Sequence, residues 1–372
     1  MSSFSEGLLD SITTPTLLLD EEIARRNLKQ MAQKIRLAGV RFRPHFKTHQ
    51  SAVIGEWFRA EGVTAITVSS VEMAEYFAAA GWTDILIAFS LNLRQLERVV
   101  RLAEKVQLGV LVEDADTVRE LEKEALSQMD VWIKVDVGSH RTGLNWEDVE
   151  SIREVQETVL RCPHLHLNGL LTHSGATYHC ETPEEVVQVF REGVERLNEL
   201  RAELESGDVR LKISVGDTPG CSLCPDFSGI DELRPGNFLF YDAQQLLIGS
   251  CTAEQIAVAV ACPVVAVHPQ RNEVVVYGGA IHLSKDWVDL QQGMSFGLAA
   301  LDVGGHWGSP IPEAIVRSVS QEHGVIRFGG GLPEGVKPGD LLYILPAHSC
   351  LTVQEQKNYL TLQGEVISTM NS

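Results

Sequence analysis

Between residues 40 and 241, short apolar runs alternate with amphipathic stretches, and this alternation constrains the fold more than any other feature of the chain. The runs are Val40–Phe42, Ala65–Val68, Ile85–Ala88, Leu108–Val112, Val131–Val135, Leu165–Leu171, Leu211–Val215 and Phe238–Tyr241. Between most of them lie stretches with helical spacing: Ser70–Ala80, Leu93–Lys105, Ala115–Leu126, Trp146–Leu160 and Pro183–Leu204. Parallel neighbouring strands need a crossover of a dozen or more residues, usually a helix, so strand–helix alternation reads as a parallel sheet. Eight such runs predict an N-terminal parallel (β/α)8, TIM-type barrel. A doubly wound open sheet alternates in the same way. No G-x-G-x-x-G follows any run, however, so its dinucleotide-binding version has no support.

Past about Ser250 the pattern changes to short β-type runs, Ile256–Val267, Glu273–Val276, Ala314–Val319, Val325–Phe328 and Leu341–Leu345, separated by Gly, Pro and Asn. No long amphipathic helix intervenes, which predicts a C-terminal antiparallel, β-barrel-like domain. The Gly329-Gly330-Gly331 patch reads as a tight turn, because no helix follows it as a phosphate loop requires. Ahead of the alternation, Asp20 is placed to cap a helix over Glu21–Leu37. The expected domains are a barrel over 20–248 and a β domain over 249–372, with residues 1–19 packing on the latter.

The formal net charge of −19 excludes the basic footprint that nucleic acid or an anionic membrane surface would need. An anionic ligand would require a locally positive or N–H-lined site. No apolar run approaches the roughly 20 residues of a membrane span, and the N-terminus lacks the basic start and apolar core of a signal peptide. The seven cysteines are scattered and odd in number, unlike a disulfide framework, so the expected compartment is the cytoplasm. Cys221-Ser-Leu-Cys224 has no second pair and no His spaced for zinc, and reads as loop cysteines rather than a redox or metal site.

In a (β/α)8 barrel the chemistry lies where strands run into the following loops. The first run ends in Pro44-His45-Phe46-Lys47-Thr48-His49 and the fifth in Asp136-Val137-Gly138-Ser139-His140-Arg141-Thr142-Gly143. The sixth ends in Thr172-His173-Ser174-Gly175-Ala176-Thr177-Tyr178-His179 and the seventh in Val215-Gly216-Asp217-Thr218-Pro219-Gly220. The eighth is framed by Arg234-Pro235-Gly236-Asn237 and Tyr241-Asp242. Lys47 has two readings. It is a solvated loop lysine, or it is desolvated among cationic groups, which lowers its pKa and makes it a Schiff-base amine. Loops after the seventh and eighth barrel strands commonly hold a phosphate, and Gly216 with Thr218 offers N–H groups and a hydroxyl. A lysine, a phosphate nest, a ring-stacking histidine and an arginine together describe a pyridoxal 5′-phosphate (PLP) site.

These motifs, Arg-Pro-His-Phe-Lys-Thr-His, Arg141-Thr142-Gly143, His173-Ser174-Gly175 and Arg234-Pro235-Gly236-Asn237, resemble fold-type III PLP enzymes of the alanine racemase superfamily. Within it they look closest to the D-serine dehydratase/D-threonine aldolase group. The resemblance implies Lys47 as the Schiff-base residue, Arg141 near the cofactor's phenolic oxygen and His173 against its ring. It implies Tyr178 in the active site, and Gly216, Thr218, Asn237 and Tyr241 around the phosphate. A homodimer follows from the resemblance alone. Each residue also has a structural alternative: His45 and His49 could hold neighbouring loops, Arg141 could pair with Asp136, and Tyr178 could cap the site.

Near the C-terminus, Leu341–Leu345 leads into Pro346-Ala347-His348-Ser349-Cys350. In extended chain, residues i and i+2 project to one face, so His348 and Cys350 are placed to bind one cation. Imidazole with thiolate favours Zn2+ over Mn2+ or Mg2+. The His-x-Cys form looks like the dehydratase side of the group, whereas the aldolases usually carry His-x-Asp. Gln321-Glu322-His323-Gly324 looks like the group's Glu-His-Gly element. Tyr277-Gly278-Gly279-Ala280-Ile281-His282 and the Gly-Asp-Thr-Pro-Gly turn depart from the usual dehydratase sequence, which leaves the substrate open.

The resemblance therefore implies a PLP- and metal-dependent lyase acting on small β-hydroxy D-amino acids by elimination to a keto acid and ammonia, with Lys47 as the base at Cα. The alternative is D-threonine aldolase-type cleavage to glycine and an aldehyde, with a loop histidine such as His49 taking the hydroxyl proton. Racemisation and a non-catalytic PLP carrier are further possibilities. The first has no use for His-x-Cys, and the second would need only the barrel.

Overall fold

The computed structural model describes residues 7–304 and 306–372. It divides into two compact units. The barrel unit comprises Met31–Lys47 and Gly55–Gly236, and the second unit comprises residues 7–30, Thr48–Ile54 and Asn237–Ser372.

In chain order the first strands and helices are β1 (Thr16–Leu19), α1 (Glu21–Leu37), β2 (Arg41–Phe42), α2 (Ala52–Ala60), β3 (Ile66–Val68), α3 (Val71–Ala79) and β4 (Asp84–Ser90). There follow α4 (Leu96–Ala103), β5 (Gln107–Val112), α5 (Ala115–Glu124), β6 (Met129–Asp136), β7 (Leu144–Asn145), α6 (Val149–Leu160) and β8 (Leu165–Thr172). The barrel unit ends with α7 (Pro183–Leu204), β9 (Lys212–Val215), α8 (Thr218–Leu223) and β10 (Glu232–Leu233). The helices start where the sequence supplies caps. Ser70, Asp114, Asp148 and Thr182 each accept an N–H from the first turn of α3, α5, α6 and α7, satisfying donors that the helix itself leaves unpaired.

The parallel strands run in the order β2-β10-β9-β8-β6-β5-β4-β3. A parallel bridge between His45 and Thr67 brings β3 back to the continuation of β2 and closes the ring. Leu86, Leu111, Trp132 and Leu171, one each from β4, β5, β6 and β8, pack together inside it. A buried polar network ties the closing strands. Arg43 donates to Glu232 at 2.6 Å and to Asp84 at 2.6 Å, Ser214 donates to Glu232 at 2.8 Å, and Arg234 donates to Ser214 at 2.7 Å.

The eighth run of the sequence reading is corrected. Phe238–Tyr241 is not a strand; Asn237–Leu239 forms a 3-10 turn with all three residues buried. The eighth strand is β10, registered between β2 and β9. A short apolar run cannot distinguish a strand from another buried segment, and β10 hides in the sequence because half of it is the charged Glu232, neutralised by Arg43. Cys221 and Cys224 are likewise not loop cysteines. Both lie in or next to α8 and are fully buried.

The second unit adds α9 (Ala243–Ile248), β11 (Val258–His268), β12 (Glu273–Tyr277), α10 (Ala280–Leu283), β13 (Val288–Leu290), β14 (Gly293–Ser295) and β15 (Gly297–Ala300). It continues with β16 (Ala314–Val319), β17 (His323–Phe328), β18 (Leu341–Pro346), α11 (Ser349–Gln356), β19 (Asn358–Thr361) and β20 (Val366–Ser368). A sheet runs β16-β17-β12-β11-β1-β19-β20, with β18 joining β11 to β15. Its pairs are antiparallel except β1 with β19. No helix among the described residues is long and apolar enough to cross a membrane.

Candidate active site

Lys47 is set at the end of a tightly held segment. His45 N–H donates to the Pro235 carbonyl, Thr67 N–H to Pro44 and Phe46 N–H to Thr67, at 2.8–2.9 Å. Phe46 is wholly buried among Phe58, Phe77 and Trp82, with ring centroids 4.9, 4.9 and 5.1 Å away. An aromatic cluster of this kind leaves its members little freedom, so the residue after Phe46 inherits a fixed origin. Lys47 itself is partly exposed, and its N–H donates to His45 Nδ1 at 3.4 Å.

The barrel unit gathers Lys47 with His173, Arg141 and a lysine that the strand pattern did not single out, Lys134. Burial lowers the pKa of His173 well below its usual value, and the positive charges of Lys47, Lys134 and Arg141 depress it further. His173 Nδ1 bonds the Gly216 carbonyl, an acceptor only, so the ring proton sits on Nδ1. The imidazole is neutral, with its orientation fixed by that bond. Its ring lies 5.8 Å from that of Tyr178, and the Tyr178 hydroxyl accepts the Thr218 N–H at 3.3 Å. Gly216 is buried with no room for a side chain: a Cβ would stand 2.9 Å from Arg234 Cβ and 3.0 Å from its carbonyl oxygen.

Lys134 is 5% exposed and lies two residues before the C-terminal end of β6. Burial, with Arg234 and Arg141 nearby, pushes its amine down to about 7, against the opposing pull of Glu113 and Asp136. Arg141 is exposed. Its loop returns to β6 through Gly143, where φ is +106° and a Cβ would lie 2.7 Å from the Asp136 N and the Val135 carbonyl carbon. Gly143 N–H donates to Glu113 at 2.7 Å. His140 rather than Arg141 lies beside Asp136, at 3.6 Å. This concentration of cations within a chain of net charge −19 fits an anionic ligand.

The remaining sequence candidates lie in the second unit. His348 and Cys350 meet, but not by the route the sequence suggested. The strand stops at Pro346, and α11 begins at Ser349 with His348 as its N-terminal cap residue. The strand-to-helix turn, not an extended i/i+2 face, places thiol and imidazole close enough to act on each other electrostatically. Burial would lower the His348 pKa, but Cys350 and Asp242 outweigh it and hold it well above its usual value. Thr48 Oγ1 stands 3.3 Å from Cys350 Sγ. Asn237, expected at a phosphate, has its amide engaged instead with Asp242 at 2.6 Å and Ser349 at 2.9 Å. Tyr241 is buried with a φ of +50°, immediately before Asp242.

His49 is wholly buried. Its Nδ1 accepts the Ser51 N–H at 3.1 Å, and its carbonyl accepts the Tyr359 hydroxyl at 2.8 Å. Burial pushes its pKa down to about 3, which leaves a neutral, weakly basic ring. Among the described residues, no group of three or more His, Cys, Asp or Glu side chains is arranged to hold a metal ion. Thiol and imidazole thus form a two-ligand donor set that suits a borderline-soft cation with open coordination positions. Two residues of consequence escaped the sequence reading: Lys134, signalled only by a charge inside an apolar strand, and Asp242, signalled only by its place before a short helix.

Fold and residues together define a barrel enzyme of the fold-type III PLP class. Residues 19–244 match the family model "Alanine racemase, N-terminal domain" and residues 257–362 match "Putative serine dehydratase domain", and the chain belongs to the family these models define. The matches bear out the resemblance read from the motifs. The chain is 30% identical to D-threo-3-hydroxyaspartate dehydratase of Delftia sp. (strain HT23), over 97% of each chain. It is 26% identical to D-serine dehydratase of Dictyostelium discoideum, over 96% of this chain and 95% of that one. It is also 27% identical to D-threonine aldolase of Arthrobacter sp, over 91% and 86%. The solved Delftia dehydratase superposes with a TM-score of 0.89 at 28% identity, over 99% of both chains. A cysteine-to-alanine mutant of that dehydratase in the metal-free form gives 0.89 at 27% identity, again over 99% of both.

Proposed function

We propose that the chain is a PLP- and divalent-metal-dependent lyase that eliminates water from small β-hydroxy D-amino acids, giving a keto acid and ammonia. The observation that carries this reading is the pairing of the Cys350 thiol with His348, backed by Asp242, in a chain whose barrel holds Lys47 among cations. Relatives named as dehydratases, one of them with a cysteine mutant in a metal-free form, support it.

When bound, PLP supplies an electron sink for charge developing at Cα and the metal, most simply Zn2+, a Lewis acid for the β-hydroxyl. The residues do the rest. Lys47 carries the cofactor and then holds the Cα proton. His173 supports the cofactor ring; it is neutral, with Nδ1–H committed to Gly216. Gly216 offers its backbone N–H and Thr218 its hydroxyl to the phosphate, while the Thr218 N–H, donated to Tyr178, holds that phenol at the same turn. Arg141 balances negative charge on the cofactor. His348 and Cys350 hold the metal. His49, with its depressed pKa, serves better as a neutral donor than as a base. A homodimer in the cytoplasm completes the proposal.

The test is product analysis. Holoenzyme given D-serine, D-threonine or a 3-hydroxy-D-aspartate, with and without chelator, is expected to yield keto acid and ammonia only while metal is present. Glycine and aldehyde would establish instead the cleavage that the aldolase relative's name suggests.

A further inference from the structure

Asp242 is a carboxylate of the second unit with both oxygens engaged, and the proposed chemistry gives it no role of its own. It is wholly buried. Oδ1 accepts the Gln245 N–H at 3.0 Å and caps α9. Oδ2 accepts the Asn237 amide at 2.6 Å and the Ser349 N–H at 2.9 Å. The same oxygen stands 3.4 Å from His348 Nδ1. That nitrogen is itself buried and completes no hydrogen bond among the described residues, even to Asp242, so it is a buried polar atom facing a carboxylate.

We infer that Asp242 is the positioning residue of the metal site, orienting His348 by way of Nδ1 so that Nε2 is the nitrogen presented to the cation. This rests on the reading of His348 and Cys350 as metal ligands. A ligating histidine delivers one nitrogen to the metal, and its other N–H needs an acceptor that fixes tautomer and ring angle and raises basicity. Among the described residues, Asp242 alone has an acidic oxygen within 4 Å of Nδ1. The same oxygen takes the N–H of Ser349, the residue between the two ligands, so one carboxylate holds both the histidine and the turn that brings Cys350 to it. Asn237 adds rigidity from behind, with its amide also 3.9 Å from Cys350 Sγ. A buried anion needs such partners, and a mere helix cap would not need to lie beside the imidazole.

The experiment is titration of metal-stripped protein with Co2+, read by thiolate-to-cobalt charge-transfer absorption, on wild type, Asp242→Asn, His348→Ala and Cys350→Ala. Asparagine still caps α9 through its one oxygen, while its amide nitrogen replaces the oxygen that accepts the Ser349 N–H and faces Nδ1, so charge and acceptor are lost there together. Asp242→Asn is expected to bind cobalt about 10–100-fold more weakly, measured below its melting midpoint in chelator, and Cys350→Ala to lose the absorption. If Cys350→Ala and His348→Ala lose cobalt while Asp242→Asn binds it with wild-type affinity, the inference is overturned and the ligands stand. If wild type shows no thiolate absorption, or Cys350→Ala retains it, the ligand reading falls and the inference with it. Should Asp242→Asn fail to fold, Asp242→Glu serves. It keeps the charge but displaces the oxygen, and a wild-type affinity there overturns the inference as well.

Discussion

The end of the barrel around Lys47 and the turn around His348 solve opposite electrostatic problems. The first crowds Lys47, Lys134 and Arg141 around a histidine that they help to keep neutral. The second encloses a thiol, an imidazole and a carboxylate, and the negative partners hold the imidazole's pKa high. A cationic nest with no ligand of its own suits a bound anion; a soft, partly anionic pair suits a cation. The two regions are therefore separable in principle, each loaded by its own ligand, and variants in one should leave the other's loading intact.

The largest effect is expected at Lys47. Lys47→Ala should lower turnover by at least about 10^3-fold, the scale of losing a covalent catalyst, while cobalt still binds at Cys350. Next comes the metal. Cys350→Ala or exhaustive chelation should cut turnover by about 10^2-fold or more, restored by added Zn2+ in wild type only, and borohydride should still label Lys47. If loss of the metal also abolished labelling, the separation of the two regions would be wrong.

Stability sharpens the contrast further. Removing Arg43 takes from buried Glu232 its closest charged partner, leaving the Ser214 hydroxyl and Arg41 at 3.6 Å, so Arg43→Met should cost up to about 3–5 kcal/mol, seen as a lowered denaturation midpoint of the barrel. The smallest effect concerns Asp217, which caps α8 beside Gly216 and whose carboxyl burial pushes up to about 7. Between the ordinary carboxylate range and that value the folded chain keeps a proton that the unfolded chain releases, so this group's contribution to stability falls as pH rises. Asp217→Asn should therefore match wild type near pH 4 and exceed it above pH 7, by at most about 4 kcal/mol, in melting curves taken across that range.

The same contrast explains what could be read in advance. The barrel residues sit at strand ends, and strand ends follow from periodicity, so Lys47, Arg141, His173 and Gly216 could be named as candidates by position. β10 was missed because a two-residue strand containing Glu232 carries no apolar signal. The second unit assembles its cluster from three distant segments, Thr48, Asn237 to Asp242, and His348 to Cys350. Thr48 and Asn237 also belong to motifs, but those motifs point to the barrel's cofactor. The hydrogen bonds that tie them to Asp242 and Cys350 follow from no local spacing.

Lys134 makes the decisive test possible. Its amine, pushed down to about 7, is chemically a ready Schiff-base partner, yet it lies buried inside β6, whereas Lys47 stands partly exposed in the segment beyond β2, where barrel chemistry occurs. Borohydride reduction of PLP-loaded protein followed by peptide mass spectrometry distinguishes the two. A pyridoxyl label on Lys47 alone is the expected result, in wild type and in Cys350→Ala alike. A label on Lys134, or on no lysine, would contradict the account.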